Sequence, residues 1–504
     1  MPILTWLNDD EARKISGRIP YRLLEADPAL SYGDAEAGNT LIQGDNLEAL
    51  KALLPYYAGQ VKCIYIDPPY NTQSAFEHYD DNLEHSTWLT MMYPRLEMLR
   101  DLLAEDGSIW VSMDDNEEAY SRVMMDEIFS RRNFIANVIW QKRTSPDARI
   151  QLGAAHDYII VYAKENKNTV LRKMPLSDEQ AKNFKNPDND PKGPWVSTDF
   201  SAQGWRPNQM YHLKTPGGAE YDPPPGRCWV NIESEYNRLV SEGRMWFGKD
   251  GKGRPRSKTY LYESEGISSW TWWPNTDVGH NQEAKKEINE LFGADNAFDT
   301  PKPERLLRRI LHIATDPDDL VLDSFLGSGT TAAVAHKMGR RYIGIEMGDH
   351  AVTHCVPRLK KVIDGEQGGV SKEVNWQGGG GFRFYRLGET VFDEAGRINP
   401  AVKFRPLAAH VWFTETHLPL EFRSKKDSPL LGVHNGVAYY LLYNGILGEK
   451  SKDGGNVLTG RVLASLPPFD GPKVIYGELT TFGVQRLARE NIVFKQVPYD
   501  IKAN

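Results

Sequence analysis

The amino-acid sequence predicts an α/β fold built on a parallel β-sheet, and three observations support this. An almost unbroken apolar run from Val61 to Ile66 is typical of a strand that is buried on both faces. A second apolar segment, at 320–322, leads into a glycine-rich loop, a helix and a further strand that ends at Glu346. Strand-like and helix-like patterns alternate along residues 41–162, as they do in parallel sheets.

The first strand ends in Asp67-Pro68-Pro69-Tyr70, which suits an amino group on a flat ring. A proline after Asp67 removes a backbone donor and keeps the aspartate extended, so its carboxylate and the Pro68 carbonyl become neighbouring acceptors. Tyr70 offers a surface for stacking. Accepting both hydrogens of an adenine amine would favour a pyramidal nitrogen whose lone pair is free to attack. The alternative is a simple turn that ends the strand.

The second unit, 320–346, has the order strand, glycine loop, helix, strand and acidic residue, which is typical of a nucleotide-binding half-unit. Gly327 and Gly329 permit close approach of the backbone to a ligand, and Glu346 is placed to accept hydrogen bonds from ribose hydroxyls. A phosphate-binding loop is a poor match, because no lysine follows the glycines. A nicotinamide fingerprint is also a poor match, because the third glycine is missing.

The two motifs, in this order, resemble the amino-methyltransferases that modify DNA bases with S-adenosylmethionine. Asp-Pro-Pro-Tyr precedes the glycine loop, which is the circularly permuted order of that family's β group. Within the group, the chain resembles the modification subunits of type III restriction systems. The resemblance covers residues 40–365 and includes further motifs at 43–46, 106–111, 279–284 and 300–304, with another at 494–499. It implies a permuted, Rossmann-like methyltransferase sheet.

The resemblance also implies functional residues, carried over at the matching positions. Asp67 and Pro68 would accept the target amine, in one motif with Pro69, and Tyr70 would stack on the flipped base. The residues expected to bind the cofactor are Asp45, Lys302, Asp323, Phe325, Gly327, Ser328, Gly329, Thr330 and Glu346. Two alternatives stay open, since Asp45 could cap the helix that begins before Leu47, and Lys302 could be an ordinary solvated lysine at a helix start.

Composition limits the other functional classes. The 504 residues predict two or three domains, and 40% apolar content predicts globular cores. There is no apolar run of about 18 residues and no signal-peptide pattern. Three scattered cysteines and twelve histidines show neither a disulfide framework nor the spacing of metal ligands. We therefore expect a cytoplasmic protein without a metal or a membrane partner.

A net charge of −8 is unusual for a DNA-binding protein, because contacts to phosphates supply most non-specific affinity. Basic residues are nevertheless concentrated in one glycine- and proline-punctuated loop. We expect this loop to contact DNA through Lys249, Lys252, Arg254, Arg256 and Lys258. The alternative is a solvated surface loop. An acidic protein with a locally basic DNA-binding surface is physically reasonable.

Composition and pattern divide the chain into six segments. They are an N-terminal extension (1–40), a catalytic half (41–164), a target-recognition insert (165–290), a cofactor-binding half (291–364), a flexible linker (365–400) and a C-terminal α/β module for dimerisation or partner docking (401–504). The insert region holds seven of the 13 tryptophans, and we expect most of them to form a small core. In the last segment, strands are predicted at 474–476 and 492–497, and a helix at 481–489.

The sequence is thus interpreted as a sequence-specific DNA methyltransferase. It would transfer a methyl group from S-adenosylmethionine to N6 of a flipped adenine, because aspartate in the first motif position goes with adenine in this family. Expected partners are double-stranded DNA, a second copy of the chain and a restriction helicase–nuclease subunit, in a restriction-modification or phage-defence system. Two alternatives stay open: an RNA or protein-glutamine N-methyltransferase, and a catalytically silent DNA-recognition subunit.

Overall fold

The computed structural model describes residues 3–34, 36–71, 84–145, 152–293, 298, 300–393, 397–422, 426–443, 446 and 455–497. The chain forms two compact units, a larger one from Met1–Arg172 and Trp270–Asn504 and a smaller one from Lys173–Ser269. The separate unit is therefore shorter than the predicted insert, whose two ends belong to the larger unit. In the described ranges, no helix has the length and apolar character that crossing a membrane requires.

The first part of the larger unit alternates strands and helices, as predicted. Its helices are α1 (Asp9–Arg18), α2 (Asn46–Tyr57), α3 (His85–Leu102) and α4 (Glu118–Met125). Its strands are β1 (Arg22–Ala26), β2 (Tyr32–Gly33), β3 (Thr40–Gln43), β4 (Val61–Ile66), β5 (Leu103–Met113), β6 (Phe134–Gln141) and β7 (His156–Ala163). Residues 1–40, which the sequence left unassigned, thus supply one helix and two strands.

The smaller unit is made of short elements around its own core. Its strands are β8 (Trp195–Asp199), β9 (Ser201–Gln203), β10 (Leu213–Lys214), β11 (Glu220–Tyr221), β12 (Arg227–Trp229), β13 (Met245–Trp246) and β14 (Arg256–Tyr260), and its helices are α5 (Asp178–Ala181) and α6 (Glu233–Ser241). Phe200, Trp229, Tyr236 and Met245 pack together in the core. Strands of at most five residues explain why the sequence shows no clear period here.

The expectation that most tryptophans of the insert region are buried was wrong. Trp195, Trp229 and Trp273 are buried, but the exposed fractions of Trp205, Trp270 and Trp272 are 70%, 79% and 52%. Trp270 and Trp272 also lie in the larger unit.

The larger unit resumes with the cofactor-binding half. Its strands there are β15 (Trp272–Trp273), β16 (Leu320–Asp323), β17 (Arg341–Glu346) and β18 (Gly381–Thr390). Its helices there are α7 (Asn275–Val278), α8 (Asn281–Phe292), α9 (Glu304–Ala314), α10 (Thr330–Lys337) and α11 (Val356–Ile363).

One large sheet organises these elements, in the order β1-β18-β3-β17-β16-β4-β5-β7-β6-β15, with β2 paired to β18. The six strands from β18 to β5 run parallel to one another, which confirms the predicted parallel sheet at its centre. Strand β7 is antiparallel to both β5 and β6, and β1 is antiparallel to β18. The sheet is therefore mixed at its margins.

The predicted linker 365–400 is only partly a linker, because β18 is an inner strand of the sheet. Phe382 and Phe384 are buried and alternate with Arg383, which is the period-two pattern of a strand. The glycines at 378–381 precede this strand, and φ values of +93°, +104° and +79° at Gly378, Gly379 and Gly380 allow the tight approach to it. A glycine-rich turn was thus mistaken for a flexible segment.

The C-terminal module has the predicted α/β character. It contains α12 (Phe404–Thr416), β19 (Leu430–His434), β20 (Val437–Leu441), β21 (Val457–Leu458), α13 (Gly460–Ser465), β22 (Lys473–Gly477), β23 (Leu479–Thr480), α14 (Val484–Arg489) and β24 (Ile492–Gln496). Four of its strands form a sheet in the order β19-β20-β22-β24. Leu407 and Val411 of α12 share the main core with Leu50 and Leu53 of α2, so the module packs against the rest of the larger unit.

Candidate active site

Four neighbouring parallel strands bring the predicted site residues to one edge of the sheet. Asp67 follows β4, Asp323 ends β16, Glu346 ends β17, and Asp45 lies two residues beyond β3. Because these strands run in the same direction, their carboxyl ends open at the same edge. This is the position at which open α/β sheets bind ligands. The two motifs therefore lie side by side although they are far apart in the sequence.

The Asp67 carboxylate is held by two donors. The Tyr70 hydroxyl donates to Oδ1 at 2.8 Å, and the Lys302 ammonium donates to Oδ2. The exposed fractions of the Asp67 and Lys302 side chains are 21% and 11%, so the ion pair is largely shielded from water. Burial raises the pKa of Tyr70 well above its ordinary value, so the hydroxyl stays protonated and can donate. The carboxylate therefore has a fixed orientation at the end of β4.

Lys302 is not the solvated lysine of the alternative interpretation. Its ammonium contacts Asp67 and lies 5.1 Å from the centroid of the Tyr70 ring, within the range of a cation–π interaction. The alternative of an ordinary solvated lysine is therefore wrong. A contact with the cofactor stays a prediction, and the structure adds a contact with the motif that is expected to hold the base.

The chain on either side of Tyr70 is anchored by buried groups. The Trp88 indole donates to the Pro69 carbonyl at 2.8 Å. The Asn71 amide donates to Oε1 of Glu117 at 2.8 Å, and His85 Nδ1 lies 2.9 Å from the same oxygen. The Glu117 side chain is only 2% exposed. One buried carboxylate thus holds residues at both the end of the motif and the start of α3, a contact that was not predicted.

A second ion pair lies beside the first. Lys142, just after β6, donates to Asp157 of β7, and both side chains are mostly buried. Burial raises the pKa of Asp157 despite the opposing charges of Lys142 and Lys302, while the charge of Asp67 raises it further. Two carboxylates and two ammonium groups therefore interact electrostatically here. This pair was not predicted, because no local pattern in the sequence joins Lys142 to Asp157.

The glycine loop is built around Asp323. Its carboxyl group accepts hydrogen bonds from the Phe325 backbone at 2.9 Å and the Thr331 hydroxyl at 2.6 Å. Asp323 is 3% exposed, and burial raises its pKa to about 7, with the charges of Asp67 and Glu346 acting in the same direction. The loop is therefore fixed at both ends by the acid that ends β16.

The arrangement fits the adenosyl and ribose parts of S-adenosylmethionine. Gly327 and Gly329 have φ values of +55° and +83°, and the Gly327 amide donates to Oε2 of Glu346 at 2.8 Å. The Gly348 amide donates to Oε1 of the same carboxylate at 3.2 Å, so Glu346 lies against the loop. The buried Ser324 hydroxyl has no hydrogen-bond partner among the described residues. A polar ligand at this edge would satisfy such a group.

Two predicted cofactor residues face inward instead. Ser328 and Thr330 are buried, and the Thr330 hydroxyl accepts a hydrogen bond from Arg358 at 2.8 Å. Arg358 also donates to Glu304 at 2.9 Å, and Glu304 accepts two further bonds from Lys337. The side chains of Ser328 and Thr330 therefore support the loop from within. This ionic cluster was not predicted, because its charged residues lie on three different helices.

Asp45 is a helix cap, as the open alternative proposed. Its Oδ1 accepts from the backbone amides of Leu47 at 2.9 Å and Glu48 at 3.2 Å, which satisfies the first turn of α2. Its Oδ2 lies 3.2 Å from Arg95. A contact between Asp45 and the cofactor stays a prediction.

The basic residues expected to bind DNA lie in the smaller unit, and one of them is misassigned. Lys258 lies on β14, is 7% exposed, and pairs with Asp188 at 2.5 Å and Asp190 at 2.6 Å. Its charge is therefore neutralised inside the unit. The other four, Lys249, Lys252, Arg254 and Arg256, are exposed. Arg256 also lies on β14, where it donates to Ser197 at 2.8 Å.

Comparison with known proteins agrees with this geometry. The chain is 40% identical over 332 residues to the type III restriction-modification enzyme StyLTI Mod subunit of Salmonella typhimurium, covering 58% of this chain and 49% of that protein. It is 34% identical over 416 residues to the probable HindVI Mod subunit of Haemophilus influenzae, covering 70% of this chain and 54% of that protein. The chain thus spans about half the length of these relatives.

Among solved structures, the cytosine-N4-specific PvuII DNA methyltransferase is similar at 16% identity and a TM-score of 0.36, covering 67% of this chain and 90% of that one. A family model described as DNA methylase matches residues 61–356, which is more than half of the chain and includes both motifs. The chain therefore belongs to the DNA methylase family.

Proposed function

We propose that the protein is a sequence-specific DNA methyltransferase that acts on the exocyclic N6 of a flipped adenine. The observation that carries this is the Asp67 carboxylate, fixed by Tyr70 and Lys302 beside the glycine loop at one edge of the sheet. Membership of the DNA methylase family supports the reaction type. The aspartate in the first motif position supports adenine as the base.

The site residues perform two tasks in this reaction. Asp67 and the Pro68 carbonyl accept the two hydrogens of the target amine, which turns its lone pair out of conjugation with the ring. Asp67 also takes up the proton that the amine loses, because it is the acceptor nearest to that nitrogen. Tyr70 and Lys302 hold the carboxylate in place throughout, so no reorganisation is needed during the reaction.

The cofactor proposed for this site is S-adenosylmethionine, which when bound supplies an electrophilic methyl group to the amine. Glu346 would accept hydrogen bonds from the ribose hydroxyls, and Gly327 and Gly329 would let the backbone approach the ligand. Asp323 keeps the loop in shape through its bonds to Phe325 and Thr331.

Double-stranded DNA is the proposed substrate, and the smaller unit is the proposed recognition element. It exposes Lys249, Lys252, Arg254 and Arg256, which can contact phosphates, and Trp205, which can stack on a base. Lys258 has no such role. The two relatives named above are Mod subunits of type III restriction-modification enzymes. We therefore also propose association with a restriction subunit and with a second copy of the chain, in a cytoplasmic restriction-modification or phage-defence system.

The test is detection of methylated bases at single-nucleotide resolution in DNA from cells that express this chain, with Asp67→Ala as the control. The expected result is N6-methyladenine at one sequence motif in the wild type and none in the variant. Cytosine N4 marks would overturn the assignment of the base. Unmodified DNA together with methylated RNA or protein would overturn the assignment of DNA as the substrate.

A further inference from the structure

The ammonium group of Lys302 lies where two parts of the proposed base site meet. It donates to Oδ2 of Asp67, which is expected to accept the target amine, and lies 5.1 Å from the centroid of Tyr70, on which the base is expected to stack. In the described part of the chain, Asp67 is the one hydrogen-bond acceptor of this ammonium. An ammonium group carries three donors, so two are available for a ligand.

Lys302 is also held firmly in this position. It lies between Pro301 and Pro303, which restrict the backbone on both sides. Two residues on, the Glu304 amide donates to Glu287 at 3.1 Å, and the Glu304 carboxylate is bonded within the buried ionic cluster. The Lys302 side chain therefore starts from a fixed point, and it is only 11% exposed.

Two carboxylates surround the ammonium group of Lys302. Asp67 contacts it directly, and Asp157, which lies beside it, is itself paired with Lys142. A base that places its amine on Asp67 brings the neighbouring ring atom to within reach of the same ammonium. In adenine the amine-bearing carbon lies between C5 and N1, and of these two N1 has a lone pair and no hydrogen.

We propose that Lys302 donates a hydrogen bond to the ring nitrogen next to the target amine, which is N1 of adenine. This inference rests on the proposed function, and it identifies the atom of the base that Lys302 recognises. The site then selects an amine next to an unprotonated ring nitrogen, with Asp67 as the acceptor and Lys302 as the donor.

The test uses the protein of 504 residues and unmethylated DNA duplexes that contain the sequence motif in which the protein methylates adenine. The target position holds adenine, 1-deazaadenine or 7-deazaadenine, each opposite an abasic site so that the loss of Watson–Crick pairing is the same in all three. Duplex affinity is measured in the presence of S-adenosylhomocysteine, and kcat/KM is measured for methyl transfer. The same quantities are measured for Lys302→Met and for Lys302→Arg, which retains donors.

In the wild type, we expect 1-deazaadenine to lose roughly 10- to 100-fold in affinity relative to adenine, the range for one hydrogen bond to a charged group. We expect 7-deazaadenine to behave like adenine. The Lys302→Met variant should show no preference for adenine over 1-deazaadenine, whereas Lys302→Arg should keep part of it. The duplex affinities of the wild type alone decide the matter if Lys302→Met does not fold.

Three results would overturn the inference. One is equal affinity of the wild type for adenine and 1-deazaadenine. Another is a loss confined to 7-deazaadenine, which would place the donor at N7. The third is a Lys302→Met variant that keeps the preference for adenine over 1-deazaadenine, since Lys302 would then not contact N1. A wild type that binds the duplexes but methylates no adenine would instead refute the proposed function, and the inference with it.

Discussion

Replacing Glu304 with glutamine should strongly destabilise the larger unit, because Glu304 is the acid shared by a buried ionic cluster. Its carboxylate lies 3.0 and 2.8 Å from the Lys337 ammonium and 2.9 Å from Arg358. The three side chains are at most 2% exposed. Removing one partner of such a pair costs about 3–5 kcal/mol, since the other charges remain buried. Two buried cations lose their partner, but Lys337 still pairs with Glu366. We therefore expect the free energy of unfolding to fall by an amount within this range, and not by twice as much.

The same helix offers a matched control. Arg308 of α9 lies 2.8 Å from Glu373, but these side chains are 36% and 43% exposed. Glu373→Gln should therefore cost less than about 1 kcal/mol. Thermal unfolding and pulse proteolysis of both variants at pH 7 measure the difference. Equal losses in the two variants would refute the reasoning, because burial would then not determine the cost.

The pH dependence of this loss has a definite sign. Burial opposes ionisation of Glu304, but Arg358 and Lys337 together hold its pKa below its ordinary value of 4.5. The stability that the charged form contributes is therefore present above this ordinary value and is lost as the pH falls through the lower, folded value. The difference in the free energy of unfolding between the wild type and Glu304→Gln should therefore become smaller as the pH falls below 4.5.

Four further substitutions test the loop, the base site and the smaller unit. Burial raises the folded pKa of Asp323 from 3.8 to about 7, so its stabilising contribution is lost as the pH rises between these two values. Asp323→Asn should therefore flatten the fall in melting temperature between about pH 4 and pH 7, and an unchanged slope would contradict this. Tyr70→Phe removes the hydroxyl that donates to Asp67. It should lower the rate of single-turnover methyl transfer roughly 10- to 100-fold and leave the melting temperature unchanged. An unchanged rate would contradict the role of Tyr70 in holding the Asp67 carboxylate. In salt titrations of DNA binding, Lys252→Ala should reduce the slope of log affinity against log salt concentration by about one. Lys258→Met should lower the melting temperature and leave this slope unchanged, because Lys258 is paired with Asp188 and Asp190. The reverse pattern would show that Lys258 contacts DNA.

Local sequence patterns were sufficient to predict the strands and turns that form the two motifs, for two physical reasons. A strand buried on both faces must be apolar along its whole length, so β4 and β16 are visible in the sequence. The turn residues that follow them are restricted by backbone geometry, as at Gly329 with its positive φ. The strands of the parallel centre, and the edge at which their carboxyl ends meet, followed from these features.

The contacts that complete the site could not be predicted, because they join residues that are distant in the sequence. Lys302 lies 235 residues from Asp67. Lys142 and Asp157 are closer along the chain, but they meet only because β6 and β7 pair in antiparallel register. A charge pattern along the sequence cannot distinguish Lys258, which is buried between two aspartates, from its exposed neighbour Lys252. Pairing, rather than composition, determines what each charge does.

The order of the motifs along the chain has little influence on the site, because strand pairing determines which side chains meet. Val321 of β16 lies opposite Cys63 of β4, so the two motifs open together whichever comes first in the sequence. Helix α9 packs against β4 and β5 and leads into β16. The segment before α9 must therefore pass the end of β4, and this places Lys302 on Asp67. Lys302 therefore reaches Asp67 from the segment that leads through α9 to β16, so this one ion pair joins the two halves of the site.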